Sequence, residues 1–276
     1  MDASSESKIL GVPTTARSMT SYIDTHCHLD RYDDPASILD ECPNTVVVAV
    51  SEVPSDYRLL EARFRNDKRV RLALGLHPLR AADAGPLEEG HLIRYLTKVR
   101  YVGEIGLDFS QHGRASKSSQ LRVLERLLSE PILRNRVVTA HSRGAEKVLI
   151  TMLADAGVPA ILHWYTGPIG LVDTALAAGM YFSVNSAMLM TDKGKSLLKQ
   201  LPRDRVLTES DGPYSKPRGS SGPSQMPALA EGLGRHWLST RDDVVNTVHQ
   251  NMSDLYATTV GKLHTAAPQN PIATTM

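Results

Sequence analysis

The chain has 276 residues, 41% of them hydrophobic and 22% charged, with a formal net charge of +1. That size admits one large α/β barrel or two small domains, and the charge balance excludes a global electrostatic hold on nucleic acid, which needs clustered Lys and Arg. No apolar run approaches the ~20 residues that cross a bilayer, and two cysteines cannot build a disulfide framework. With no signal peptide visible, a reducing cytoplasm is the simplest compartment.

Residues 1–20 have the composition of a disordered leader, and Met19 is an alternative start. Short, continuous, β-branched-rich runs then recur at Tyr22–His26, Thr45–Val50, Val70–Leu74, Tyr101–Ile105, Arg136–Ala140, Pro159–Leu162, Met180–Val184 and Arg205–Thr208. Such runs suit strands buried on both faces. Amphipathic segments separate them. Leu121, Leu124, Leu127 and Leu128 share one helix face, and Val148, Leu149 and Met152 do so in the next unit. Gly179, after Ala175–Ala178, is a helix C-terminal signal. Strands alternating with helices predict an α/β fold, a (β/α)8 TIM barrel spanning residues 21–257 as one domain. An open doubly wound sheet is the alternative, weakened by the lack of a Gly-rich phosphate loop after the first strand. Residues 212–224 form a Pro/Gly/Ser loop expected at the site rim, residues 225–257 two terminal helices, and residues 258–276 a polar, flexible tail.

Five of these runs stop at a histidine or a carboxylate, and the ends of parallel strands converge on one face. His26 and His28 point to the same side of an extended chain, because side chains alternate with period two. Cys27 points the other way, as a buried apolar residue. Glu104 lies in an apolar stretch where a charge is costly unless paired or metal-bound; the competing reading is a core salt bridge. Gly103 and Gly106 beside it permit close backbone approach. Asp108 orients a ligand or caps a loop. His141 and His163 end the fifth and sixth strands. His77 ends the third and faces the site, holding substrate and not metal. Asp211 and Glu209 share a side if the strand stays extended: Asp211, nearer the loop, is the ligand and proton acceptor, and Glu209 orients ligands. Arg143, Lys216 and Arg218 are candidates for holding phosphate oxygens, with solvated surface charge as the competing reading for Lys216 and Arg218. Trp164 and Tyr165 either stack on a base or pack in the core. The remaining histidines (91, 112, 236, 249 and 264) receive no role.

Six motifs, Ile-Asp-Thr-His-Cys-His-Leu-Asp, Gly-Leu-His-Pro, Val-Gly-Glu-Ile-Gly-Leu-Asp, His-Ser-Arg-Gly-Ala, Leu-His-Trp-Tyr-Thr-Gly and Thr-Glu-Ser-Asp-Gly-Pro-Tyr, stand in the order found in the TatD family of metal-dependent deoxyribonucleases, which the chain resembles over roughly residues 20–257. The resemblance implies a metallo-dependent hydrolase of the TIM-barrel type with two divalent metal ions. It puts His26, His28 and Asp211 on one ion, His141 and His163 on the other, and Glu104 between them. Asp211 and Glu104 are then the catalytic residues, and His77, Arg143 and Trp164 the substrate-binding ones. It also implies 3′-to-5′ exonuclease action on DNA, single-stranded or at its ends, or deacylation of misacylated tRNA. By ligand type the ions are Zn²⁺, Mn²⁺ or Fe²⁺, though phosphoryl chemistry often runs on Mg²⁺. Two departures from the family pattern, His163-Trp-Tyr-Thr-Gly and Ser221-Gly222-Pro223, touch no proposed ligand. The Leu-His-Trp stretch and Tyr181–Leu189 resemble the QatD branch of Qat anti-phage defence systems, implying partner proteins in antiviral defence. The rival readings are an amidohydrolase or esterase on the same barrel, and a scaffold subunit of a defence complex.

Overall fold

Each short apolar run forms a strand, and each strand hands over to a helix that covers it. The computed structural model describes residues 21–215 and 222–260. The elements run β1 (Tyr22–Cys27), α1 (Pro35–Asp40), β2 (Thr45–Val50), α2 (Pro54–Phe64), β3 (Val70–Leu74), α3 (Gly85–Tyr95), β4 (Tyr101–Gly106), α4 (Lys117–Leu128), β5 (Val137–His141), α5 (Glu146–Asp155), β6 (Ala160–Leu162), α6 (Val172–Ala177), β7 (Tyr181–Val184), α7 (Ser186–Met190), α8 (Asp192–Leu198), β8 (Val206–Thr208), α9 (Met226–Trp237) and α10 (Arg241–Thr258). The eight strands lie in sequence order in one sheet, each parallel to the next.

The β1–β8 seam closes the barrel without a long ladder. Thr25 Oγ1 donates to Thr208 O at 2.9 Å, and Thr208 Oγ1 donates back to Ile23 O at 2.5 Å. Further along, Asp211 N donates to His26 O and His28 N donates to Gly212 O, both at 2.8 Å. These bonds carry the chain after β8 back over the end of β1, which delivers Asp211 to the histidine pair.

The helix faces differ from expectation in one place. In α5, Leu149, Ile150 and Leu153 are buried and Met152 is half-buried, but Val148 is 41% exposed. A helix turns 100° per residue, so adjacent Val148 and Leu149 are not on one narrow face, and the contact with the sheet selected the 149/150/153 stripe. In α4, Val123 joins Leu124 and Leu127 in the core, with Leu121 and Leu128 flanking. The leader (1–20), Lys216, Arg218 and the tail from 261 lie outside the described residues.

Gly106 is where β4 leaves the barrel. Its φ is +135°, and a Cβ there would lie 2.1 Å from His141 O. Side-chain-bearing residues essentially never adopt that backbone. Gly106→Ala is therefore expected to destabilise the protein by about 3 kcal/mol. A urea denaturation midpoint equal to the parent's would refute this.

Candidate metal centre

The side chains that end β1, β4, β5 and β6 meet at the C-terminal mouth of the barrel. Glu104 is 1% exposed and touches every histidine there. Its Oε1 lies 2.8 Å from both His141 Nδ1 and His163 Nε2, and 3.5 Å from His77 Nε2. Its Oε2 lies 3.2 Å from His28 Nε2 and 3.4 Å from His26 Nε2. Asp211 Oδ1 approaches the same two nitrogens at 3.7 and 3.6 Å. No Lys or Arg reaches Glu104 among the described residues, so its ion-pair partners are these imidazoles.

Two of the rings, His26 and His141, are hydrogen-bonded from behind. Thr139, two residues before His141 and therefore on the same side of β5, places Oγ1 2.9 Å from His26 Nδ1. With Nδ1 engaged there, Nε2 faces the centre. Asp108 Oδ2 lies 3.0 Å from His141 Nε2, so Nδ1 faces Glu104. Asp108 Oδ1 also accepts from Ser110 N, so the same carboxylate holds the His141 ring and caps a turn. Glu209 accepts from Ser183 and from Asn185 Nδ2, and its Oε2 lies 3.7 Å from His163 Nδ1.

Glu209 and Asp211 both face the cluster, but not for the expected reason. The chain is not extended there: Asp211 has φ +47°, a left-handed conformation. That turn swings Asp211 toward His26 and His28 while Glu209 stays behind His163.

His77 differs from the other four histidines. Its Nδ1 accepts from Leu79 N–H at 3.1 Å. The neutral ring then carries its proton on Nε2, which points at Glu104 as a donor. His77 thus presents Nε2 to Glu104 and, with His141, forms one of the donor groups at the centre.

Burial and close neighbours shift the titration of several groups here. Burial favours the neutral form of Glu104, but the histidines, His77 and His163 foremost, outweigh it and hold the carboxyl well below its usual range. Asp211 is pushed up to about 7, chiefly by burial, with Glu209 and Glu104 adding to the effect and His163 and His28 opposing it. Burial, reinforced by His163, drives the proton off His26.

Divalent ions fit this donor set. The Nε2 atoms of His26 and His28 face each other at 3.3 Å, and Nδ1 of His141 faces Nε2 of His163 at 3.2 Å. Two lone pairs so placed repel unless a cation or a proton lies between them. Three groups of donor atoms each converge within 4.8 Å: His26 with Glu104 and His163, His26 with His28 and Asp211, and His77 with Glu104 and His141. Imidazole and carboxylate together suit Zn²⁺ and Mn²⁺.

Above the cluster opens a cavity of about 720 Å³, whose wall includes Arg80, Arg143, Trp164, Thr166, Glu52 and Tyr214. Arg143 and Arg80 are exposed and make no ion pair among the described residues. Trp164 is half-buried at φ +36°, a strained conformation for a non-glycine residue. Tyr165 is not available to a substrate: it is 1% exposed, packs edge-on against Phe182 and donates to Pro168 O. Cys27 is buried in the core, as expected. On the far rim Tyr214 packs edge-on against His28 and donates to Glu52 Oε1 at 2.7 Å, while Arg31 neutralises Glu52 at 3.2 Å.

Sequence reasoning missed Thr139, Arg80 and Glu52, and reached Tyr214 only as part of the 212–224 rim loop. Only Thr139 carried a usable signal, a hydroxyl at the inward position below His141. The Thr139→Val variant removes the hydroxyl and keeps the shape. It is expected to bind divalent ions roughly 10–100-fold more weakly, as loss of a group that orients a ligand does. Competition against a metallochromic chelator measures this, and an unchanged affinity would show that His26 needs no such support.

Eight parallel strands closed into a barrel, with imidazoles and carboxylates converging beyond their C-terminal ends, define a metal-dependent hydrolase of the TIM-barrel type. The chain belongs to the TatD-related DNase family, whose model matches residues 23–257. It is 26% identical over 261 residues to the deoxyribonuclease TATDN3 of Homo sapiens, covering 85% of this chain and 94% of that protein. It is 27% identical over 252 residues to the uncharacterized metal-dependent hydrolase YabD of Bacillus subtilis, covering 84% and 98%. The fold matches that of the TatD homologue YJJV from Escherichia coli with a TM-score of 0.70 at 22% identity, over 85% of this chain and 97% of that one. No helix among the described residues is long and apolar enough to cross a membrane.

Proposed function

We propose that this protein is a two-metal phosphodiesterase that shortens DNA from single-stranded 3′ ends. The observation that carries the reading is Glu104: one buried carboxylate within 3.5 Å of five imidazoles, under a cavity with two unpaired arginines. In this reading His26, His28 and Asp211 hold one ion, His141 and His163 the other, and Glu104 both. Two divalent ions bound there, whether Mg²⁺, Mn²⁺ or Zn²⁺, would lower the pKa of an attacking water and offset charge gathering on the phosphoryl oxygens.

The chain's own groups do the rest. Asp211 accepts the proton of the attacking water. His77 Nε2–H donates to a non-bridging oxygen, and Arg143 and Arg80 hold the phosphate by charge-assisted hydrogen bonds. Trp164 stacks on the terminal base, which fits its strained placement at the cavity wall. A part in anti-phage defence, with partner proteins, rests on the resemblance around Leu162-His-Trp and Tyr181–Leu189. Of those residues Trp164 belongs to the cavity, whereas Tyr181, Phe182 and Val184 are core.

The test is hydrolysis by the metal-loaded protein of single-stranded DNA labelled at the 5′ or the 3′ end, beside acylated tRNA. The expected result is a ladder of shortened 5′-labelled products and no release of amino acid. Turnover of the aminoacyl ester alone would replace this reading with the esterase one.

A further inference from the structure

The opposite mouth of the barrel carries a second cavity, of about 590 Å³, that the hydrolase chemistry does not use. It lies where β3 and β4 begin, beside the ends of α2 and α10. The histidines stand at the other ends of the strands, so this is not an extension of the catalytic cavity. Its size falls within the ~300–1,000 Å³ of small-ligand pockets.

Four cations line it: Arg65, Arg71, Lys98 and Arg100. No carboxylate lines it, and none of the four makes an ion pair among the described residues. Arg71 is fixed in the wall, because its Nη1 donates to Lys68 O at 2.9 Å and to Val70 O at 3.1 Å. The whole chain has a net charge of only +1, so this is a local concentration of charge. The N-terminal face of such a barrel ordinarily serves stability. Unpaired like charges around one concavity work against stability, and an anion bearing two or more charges would offset them.

The wall also holds aromatic rings. Tyr101 and Tyr256 are half-buried, with ring centroids 6.5 Å apart and planes tilted by 42°. Tyr57 and Phe64 complete that side. Cations answer phosphate, and ring faces answer a planar base. An acidic peptide would satisfy the first and leave the second unused.

We propose that this cavity binds a nucleoside phosphate group, free or at the end of a single strand, independently of the catalytic centre. The experiment is fluorescence anisotropy on the full chain in EDTA, with two labelled probes, deoxyadenosine diphosphate and a deoxyadenosine hexamer. Because it reads binding and not hydrolysis, it stands or falls apart from the nuclease reading. The double variant Arg65→Glu/Arg100→Glu, at two exposed positions, is expected to weaken the diphosphate probe at least tenfold. Tyr256→Leu is expected to weaken it at least threefold while leaving competition by inorganic pyrophosphate unchanged. A hexamer that binds more tightly than the diphosphate, and loses that advantage in the double variant, identifies a strand as the source. Equal affinities identify free nucleotide. The proposal is overturned if the double variant binds both probes within twofold of the parent, or if a hexaglutamate peptide competes as well as unlabelled diphosphate.

Discussion

Asp211→Asn is expected to fold like the parent and to hydrolyse labelled single-stranded DNA about 10³-fold more slowly, the scale set by loss of a positioned general base. Folding survives because the backbone does the structural work at this position. Asp211 N donates to His26 O, and Asp211 O accepts from Tyr214 N and Ser215 N, at 2.8 to 3.0 Å. Asn retains all three bonds and is, with Asp, among the few residues that tolerate the left-handed conformation at φ +47°. The side chain loses its ability to accept a proton and much of its affinity for a cation. Circular dichroism should match the parent's while the rate collapses. A rate within tenfold of the parent's would remove Asp211 from the mechanism.

Glu104→Gln addresses the ions themselves. A single carboxylate serves both proposed ions, with 2.8 Å approaches to His141 and His163 on one oxygen and 3.2 Å to His28 on the other. The amide keeps the volume but carries no charge, and its NH₂ group faces ring nitrogens that must themselves accept a cation. Elemental analysis should find about two divalent ions per parent chain and fewer than one per variant chain. The melting temperature gives a second readout. Ligands that bind only the folded state stabilise it by RT ln(1 + [L]/Kd), about 2.7 kcal/mol at 100 times Kd. Mn²⁺ or Zn²⁺ should therefore raise the parent's melting temperature and leave the variant's nearly unmoved. Equal metal content in both proteins would show that Glu104 bridges nothing.

The barrel was legible because its strands are buried on both faces, so each reads as an apolar run that a His, Glu or Asp interrupts conspicuously. That is why each observed strand begins or ends within about one residue of its sequence-predicted limits, ordinary scatter for element boundaries. It is also why His26, His28, Glu104, His141, His163 and Asp211, which the structure brings together, stood out in the chain. The α5 face was misjudged because adjacent residues on a helix differ by 100°, and which of Val148 or Ile150 is buried depends on how the helix sits on the sheet.

The sequence by itself determined the architecture and the donor types, since the pattern of apolar runs and the polar residues closing them are properties of the chain. Only the tertiary structure decided where each donor points. His77 is separated from the other histidines by a single backbone N–H from Leu79. Asp211 reaches the centre through a left-handed turn pinned to β1, not through an extended strand. Trp164 and Tyr165, equivalent as neighbours in the chain, part into the cavity wall and the core. The cationic pocket at the far mouth gathers Arg65, Arg71, Lys98, Arg100 and Tyr256 from segments up to 191 residues apart. Proton positions, backbone turns and contacts between distant segments are set by packing, and no local pattern in a sequence encodes them.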